Sequence, residues 1–191
     1  MARAHPAWNR TLAFFDMSRE IVITSAAVAL LYYRSSLQIH MLLGSVLCCS
    51  LAKVLKLLIR QERPAKETHG KTSFGMPSTH SAAVIYFGTY LACLVHPQRH
   101  CPSADLGSSL IARWSLLILI LPTCTMAALS RAFNGYHTFK QVFAGMCLGA
   151  AFAGMWWSIR HKMYPYIDPL AEIVQLHVKF QPPFQIQHHE L

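Results

Sequence analysis

Three short polar patches interrupt a chain that is otherwise apolar. The first runs Lys56-Leu-Leu-Ile-Arg-Gln-Glu-Arg63-Pro64, the second is Pro77-Ser78-Thr79-His80, and the third is Ser130-Arg131 followed by His137 and Gln141. Together they supply the cations Lys56, Arg63 and Arg131, two imidazoles, and the hydroxyl and amide groups of Ser78, Thr79 and Gln141. That set suits the holding of a phosphate and attack upon it, because phosphoryl transfer asks for positioning and charge stabilisation more than for covalent chemistry. Planar guanidinium forks grip two oxygens each, and the start of the third expected helix favours an anion. Each patch also has an ordinary reading. A Lys or Arg near the end of an apolar helix snorkels to the interface, and Pro-Ser-x-His can simply begin a helix with Ser78 as its cap. Order and spacing argue for more. Lys56 and Arg63, seven residues apart, are expected on one helix face, with Pro64 stopping the helix.

The succession K-x6-RP, PSxH and SR-x5-H resembles the type 2 phosphatidic-acid phosphatase superfamily, lipid phosphatases related to the vanadium haloperoxidases. The resemblance covers roughly residues 40–160. Phe74-Gly75-Met76-Pro77-Ser78-Thr79-His80-Ser81 and Tyr136-His137-Thr138, then Gln141-Val142, look like its dolichyldiphosphatase branch, which carries Gln where most of the superfamily has Asp. The resemblance implies that His137 attacks phosphorus to form a phosphohistidine. His80 would protonate the leaving oxygen and then activate water. Lys56, Arg63, Ser78, Thr79 and Arg131 would hold the phosphate, and Gln141 would orient His137. Thr79 stands where Gly is commoner, but its backbone N–H survives. No metal or cofactor is expected. Lys53 and Arg60, one turn either side of Lys56, read as interfacial anchors. His40, His69, His96 and His161 match no motif, and of these only His69 lies in the loop between the first two motifs.

The elements that must position these groups follow from composition. Hydrophobic residues make up 53% and charged residues 13%, about half the usual charged share, which marks a membrane protein. The +9 charge falls between apolar runs rather than on a soluble face, so nucleic acid is a poor partner. The expected architecture is all-α: a polytopic transmembrane bundle of about five spans with a phosphatase/haloperoxidase-like core. It forms a single domain over 1–191, with its core at about 18–160 and an interfacial or flexible tail at 161–191.

The expected spans cover about 18–33, 37–59, 80–95, 110–129 and 138–159, after an interfacial start over 1–17. Pro122 can kink the fourth, and Gly145, Gly149 and Gly154 let the fifth pack closely. Residues 169–180 read as an amphipathic surface helix. The first run is expected to act as an uncleaved anchor. The cysteines read as small buried hydrophobes rather than a disulfide or zinc framework. His188-His189 reads as a solvated terminus.

Span counting brings all three motifs to one membrane face. The resemblance implies the endoplasmic reticulum membrane, with that face lumenal. Arg3, Arg10, Arg60, Lys66, Lys71 and Lys140 lie on the same face, against Arg34, Arg99, Arg160, Lys162 and Lys179 opposite, a balance that leans toward a cytosolic site. The resemblance is followed here. The expected activity is hydrolysis of a polyisoprenoid diphosphate, dolichyl diphosphate first, to the monophosphate and phosphate, recycling the carrier of N-glycosylation. A broad lipid phosphate phosphatase acting on phosphatidate-like substrates is the alternative, and a non-catalytic membrane scaffold a remote one.

Overall fold

The structure is a computed structural model that describes residues 17–33, 35–64, 74–95 and 110–177. The interfacial start, the segment carrying Lys66, His69 and Lys71, the loop after Val95, and the end of the tail lie outside the described residues. The described residues form six helices: α1 Ser18–Tyr33, α2 Ser36–Ile59, α3 Thr79–Val95, α4 Leu110–Phe133, α5 Phe139–Ser158 and α6 Arg160–His177. Among the described residues there is no strand, so the all-α expectation holds.

Helices α1 to α5 occupy the five expected apolar runs, but they are unequal. Helix α2 and residues 114–133 of α4 are each long and apolar enough to cross a membrane alone. Helix α5 meets that standard jointly with α6, to which it is joined through a 77° bend. Helices α1 and α3 are apolar but shorter, at 16 and 17 residues.

Helix α3 is the axis of the bundle. It is buried on nearly every side, from His80 and Ser81 through Val84, Tyr86 and Phe87 to Tyr90, as a helix apolar all round must be. Helix α5 lies along it. A Cβ at Gly145 would strike the Ser78 carbonyl and one at Gly149 the Ala82 carbonyl, so this small-xxx-small pair sets the close approach. Gly154 departs from the expectation: nothing lies within 4 Å of where its Cβ would stand.

At the end of the bundle away from Lys56, the imidazole Nδ1 of His40 lies 2.9 Å from the Tyr90 hydroxyl. Trp156 Nε1 donates to the His40 carbonyl at 2.9 Å, and Tyr86 Oη donates to the Met41 carbonyl at 3.0 Å. These bonds tie α2, α3 and α5 together, with the His40 and Trp156 rings stacked at 4.8 Å.

Three boundaries differ from expectation. Helix α2 stops at Ile59, because Arg60 turns left-handed (φ 51°) and donates its N–H to the Lys56 carbonyl at 3.0 Å. Arg63 therefore lies beyond the helix, and its expected helical relation to Lys56 does not hold. Helix α4 runs on to Phe133, placing Ser130 and Arg131 in its last turns rather than before a loop. Helix α6 begins at Arg160 and passes through both Pro165 and Pro169. The two missing N–H groups are four residues apart on one face. The carbonyls they would have met, on His161 and Pro165, belong to exposed residues.

Candidate active site

Where α4 ends, the chain turns back at once. The Asn134 N–H reaches the Ser130 carbonyl at 2.9 Å, and Gly135 supplies the positive φ of 78° that the turn requires. The backbone N–H groups of Tyr136 and His137 then both donate to the carbonyl of Arg131, at 3.1 and 3.2 Å. The Arg131 guanidinium carbon sits 4.1 Å above the centre of the Tyr136 ring, a cation–π contact that restrains the fork. One tight turn thus fixes Arg131 and His137 relative to each other.

Helix α5 opens with a capping box. Thr138 Oγ1 accepts the Gln141 N–H at 3.3 Å, and Gln141 Oε1 accepts the Thr138 N–H at 3.2 Å. The same Oε1 lies 3.1 Å from His137 Nδ1. On the other side of the amide, Gln141 Nε2 donates to the Glu62 carbonyl at 2.8 Å and to Gln61 Oε1 at 3.3 Å. These contacts decide a question of protonation. The Thr138 N–H can only donate and the Glu62 carbonyl can only accept, so the amide has one allowed orientation. Oε1 then faces His137, Nδ1 must carry the proton, and the lone pair lies on Nε2.

Gln141 also reaches the second motif. Its carbonyl accepts the Ser78 N–H at 3.0 Å, while the Gly75 N–H donates to the Gln61 carbonyl at 2.6 Å. A Cβ on Gly75 would run into the Gln141 amide. The Met76–Pro77 peptide between them is cis. Ser78 is fully buried and caps α3: its Oγ accepts from Ser81 Oγ at 2.9 Å and from the Ser81 N–H at 3.4 Å. The hydroxyl still has its own proton to give. Thr79 is half-buried at the first position of α3, and His80, buried, is at the second.

Charge converges on His137, which is only 4% exposed. Its pKa is pushed down to about 4, first by burial and then by the Arg63 guanidinium. The hydrogen bond to Gln141 opposes that shift, and Lys56 and Arg131 add to it. All three cations of the motifs therefore act on one imidazole, although Arg63 reaches it from an extended segment. Lys53 and Arg60 are exposed, and Arg60 Nε bonds back to the Leu57 carbonyl at 3.0 Å.

The structure thus gathers Lys56, Arg63, Ser78, Arg131, His137 and Gln141 around one point, with Thr79 and His80 at the adjoining helix start. Gln61, Glu62, Gly75, Ser81 and Tyr136 all fall within the quoted motif stretches, but sequence reasoning assigned none of them a role in the site. The Thr138-x-x-Gln141 capping box was a readable signal for the start of α5. Nothing local announces the contact between Gln141 and Glu62.

Comparison with known proteins gives a consistent result. The chain is 31% identical over 123 residues to lipid phosphate phosphatase gamma of Arabidopsis thaliana, covering 63% of this chain and 52% of that protein. It is 26% identical over 160 residues to dolichyldiphosphatase 1 of Mus musculus, covering 83% of this chain and 67% of that one. To dolichyldiphosphatase 1 of Dictyostelium discoideum it is 29% identical over 154 residues, covering 78% and 65%. The chain thus spans about half the length of the first relative and about two thirds of the others. In fold it is similar to a transmembrane PAP2-type phosphatidylglycerolphosphate phosphatase from Bacillus subtilis, with a TM-score of 0.66 at 21% identity over 83% of this chain and 79% of that chain. The model of the PAP2 superfamily matches residues 29–164, from within α1 to within α6, and this protein belongs to that superfamily.

Proposed function

We propose that this protein is an integral membrane lipid phosphatase that hydrolyses a polyisoprenoid diphosphate, dolichyl diphosphate foremost, to the monophosphate and inorganic phosphate. The observation that carries the reading is the tautomer imposed on His137 beside three cations. Gln141 holds the proton on Nδ1 and leaves Nε2 as a neutral nucleophile. In the first step Nε2 attacks the terminal phosphorus, and the bond from phosphorus to the bridging oxygen breaks. Lys56, Arg63 and Arg131 take the charge on the equatorial oxygens, helped by Ser78 and by N–H groups at the start of α3, including that of Thr79. His80 protonates the departing lipid monophosphate. In the second step His80 takes a proton from water, the water oxygen attacks phosphorus, and the N–P bond breaks to return neutral His137.

The dolichyldiphosphatase relatives support the diphosphate substrate. The Gln in place of a carboxylate supports it too: a phosphate monoester is a weaker base than an alkoxide and leaves with less help to the developing imidazolium. On this reading the protein sits in the endoplasmic reticulum membrane with the site on the lumenal face, and recycles the lipid released by N-glycosylation. The lipid phosphate phosphatase relative favours a second reading, a broader activity on phosphatidate-like lipids. Phosphate release from dolichyl diphosphate, dolichyl monophosphate and phosphatidate, compared side by side on purified protein, tests both. Preference for the diphosphate is expected. Equal or greater turnover of phosphatidate would leave the broader reading standing.

A further inference from the structure

Helices α4 and α5 each pack closely on α3 but only sparsely on one another. The result is a cleft of about 280 Å³, with α3 as its floor and α4 and α5 as its walls. The floor carries Gly88 and Thr89, one wall Cys124 and Thr125, the other Cys147 and Ala150. The floor is low because α3 and α4 close on each other there: a Cβ on Gly88 would lie 2.8 Å from Cys124 Sγ. The surface is apolar even where threonine lines it. Thr125 Oγ1 is occupied by the Leu121 carbonyl at 2.8 Å, so its hydroxyl makes no demand on an occupant.

The same three helices carry the catalytic face. His80 begins α3, Arg131 ends α4, and His137 precedes α5. At 1.5 Å rise per residue the cleft lies roughly 8 to 20 Å along the helices from those groups. The volume is at or below the ~300 Å³ lower end of ligand pockets, which suits a stretch of one chain rather than a whole lipid. A larger depression elsewhere runs along α1 from Met17 to Tyr32 and is lined by that helix alone, with no residue from the motif-bearing helices.

We infer that the cleft between α4 and α5 holds the proximal part of the substrate's hydrocarbon chain while the diphosphate sits among Lys56, Arg63, Arg131 and His137. This rests on the lipid diphosphatase reading and adds to it a chain-reading site. Its depth makes it selective. A chain of a single isoprene unit ends near its upper edge, whereas a long chain fills it.

Two measurements on the full-length protein test the inference. The first compares Cys147→Trp and Ala150→Leu with wild type on a long-chain polyisoprenoid diphosphate and on isopentenyl diphosphate. The ratio of long-chain to short-chain kcat/KM is expected to fall at least tenfold in each variant. An unchanged ratio, with either equal loss or no loss on both substrates, overturns the inference. The second uses a long-chain polyisoprenoid diphosphate with a diazirine two isoprene units from the phosphate. Adducts are expected within 85–89, 121–125 and 146–150. Adducts concentrated on α1, or spread evenly over the lipid-facing surface, would mean that the cleft holds ordinary bilayer lipid only. The photolabel reads binding without turnover. A wild-type protein that labels in the cleft but releases no phosphate from diphosphates would sink the activity and keep the site. A wild type that turns over diphosphates with labelling elsewhere does the reverse.

Discussion

Gln141 Nε2 donates to the backbone carbonyl of Glu62 at 2.8 Å, across 79 positions of sequence. Through this bond the residue that fixes the tautomer of His137 also anchors the segment presenting Arg63. A carboxylate could accept from His137 and Thr138 but has nothing to give Glu62. Gln141→Glu, which keeps shape and loses the donor, sets a carboxylate oxygen against a carbonyl. An unmade buried bond of this kind costs about 1–3 kcal/mol. Expressed in the transition state, that is roughly 5- to 150-fold in kcat/KM. The loss is expected chiefly in kcat/KM rather than in melting temperature, measured on the same preparation.

The pH profile follows from the direction of the His137 shift. Burial and Arg63 lower its pKa to about 4, so the proposed nucleophile is neutral at every pH well above that value. The acidic limb of kcat/KM that belongs to the free enzyme's His137 is expected near pH 4, not near the ordinary histidine value. Gln141→Asp adds an anion beside the ring, favours the imidazolium and raises the pKa, so the limb is expected to move upward. The same charge helps the developing imidazolium, and turnover of a lipid monophosphate is expected to gain relative to the diphosphate. A profile and ratio both unchanged would reduce Gln141 to a structural residue.

Two glycines are predicted to behave oppositely. Gly75→Ala puts a methyl group into the Gln141 amide, and a loss of at least tenfold in kcat/KM is expected. Gly154→Ala meets open space in the middle of α5 and is expected to leave activity intact. It should raise stability by about 0.5–1 kcal/mol through helix propensity, read as a higher melting temperature.

The two histidines separate by their intermediates. His137→Ala is expected to abolish any acid-labile phosphoenzyme formed from labelled diphosphate. His80→Ala is expected to slow turnover while still allowing some label to accumulate when the leaving group is good. Label retained in His137→Ala would place the nucleophile elsewhere.

Turnover is expected to survive excess chelator, since the proposed phosphate grip consists of Lys56, Arg63 and Arg131, and Glu62, the one carboxylate in the motifs, belongs to no cluster of three metal-ligating side chains among the described residues. Vanadate is expected to inhibit as a five-coordinate phosphorus mimic. A rate that collapses with chelator and returns with magnesium would overturn the mechanism.

Much of this was legible beforehand because apolar runs and ordered motifs are local signals. The five helices fall where the runs do, and Thr138-x-x-Gln141 announces the start of α5. What could not be read depends on distant partners. Nothing in Lys-Leu-Leu-Ile-Arg forbids a helix through Arg60. The chain leaves it with Gln61 engaged by Gly75 and Glu62 by Gln141, both far along the sequence, and Pro64 only disfavours the helical region just before it. The surface helix expected over 169–180 starts instead at Arg160 and carries Pro165 and Pro169 within it, a start hidden in the sequence because proline ordinarily breaks a helix interior. Gly154 could have been set apart from the sequence: it follows Gly149 by five residues rather than four, which at 3.6 residues per turn carries it about 140° round the helix from that contact, and nothing lies within 4 Å of where its Cβ would stand.

The clamping of α3 at both ends sets a length scale. One end is fixed where the Ser78 N–H meets Gln141, the other where the Tyr90 hydroxyl meets His40. Its 17 residues rise about 25 Å, several ångströms less than a typical hydrocarbon slab of about 30 Å. The strut cannot slide to make up the difference. Enclosed by its neighbours, α3 does not face the bilayer, so on the proposed reading it is the lipid head group that descends into the bundle to meet its His80 end. Against a bilayer of about 27 Å, as in the endoplasmic reticulum, the shortfall drops from about 5 Å to about 2 Å, so on the proposed reading the thickness of the host membrane sets how far a diphosphate has to sink to reach His137.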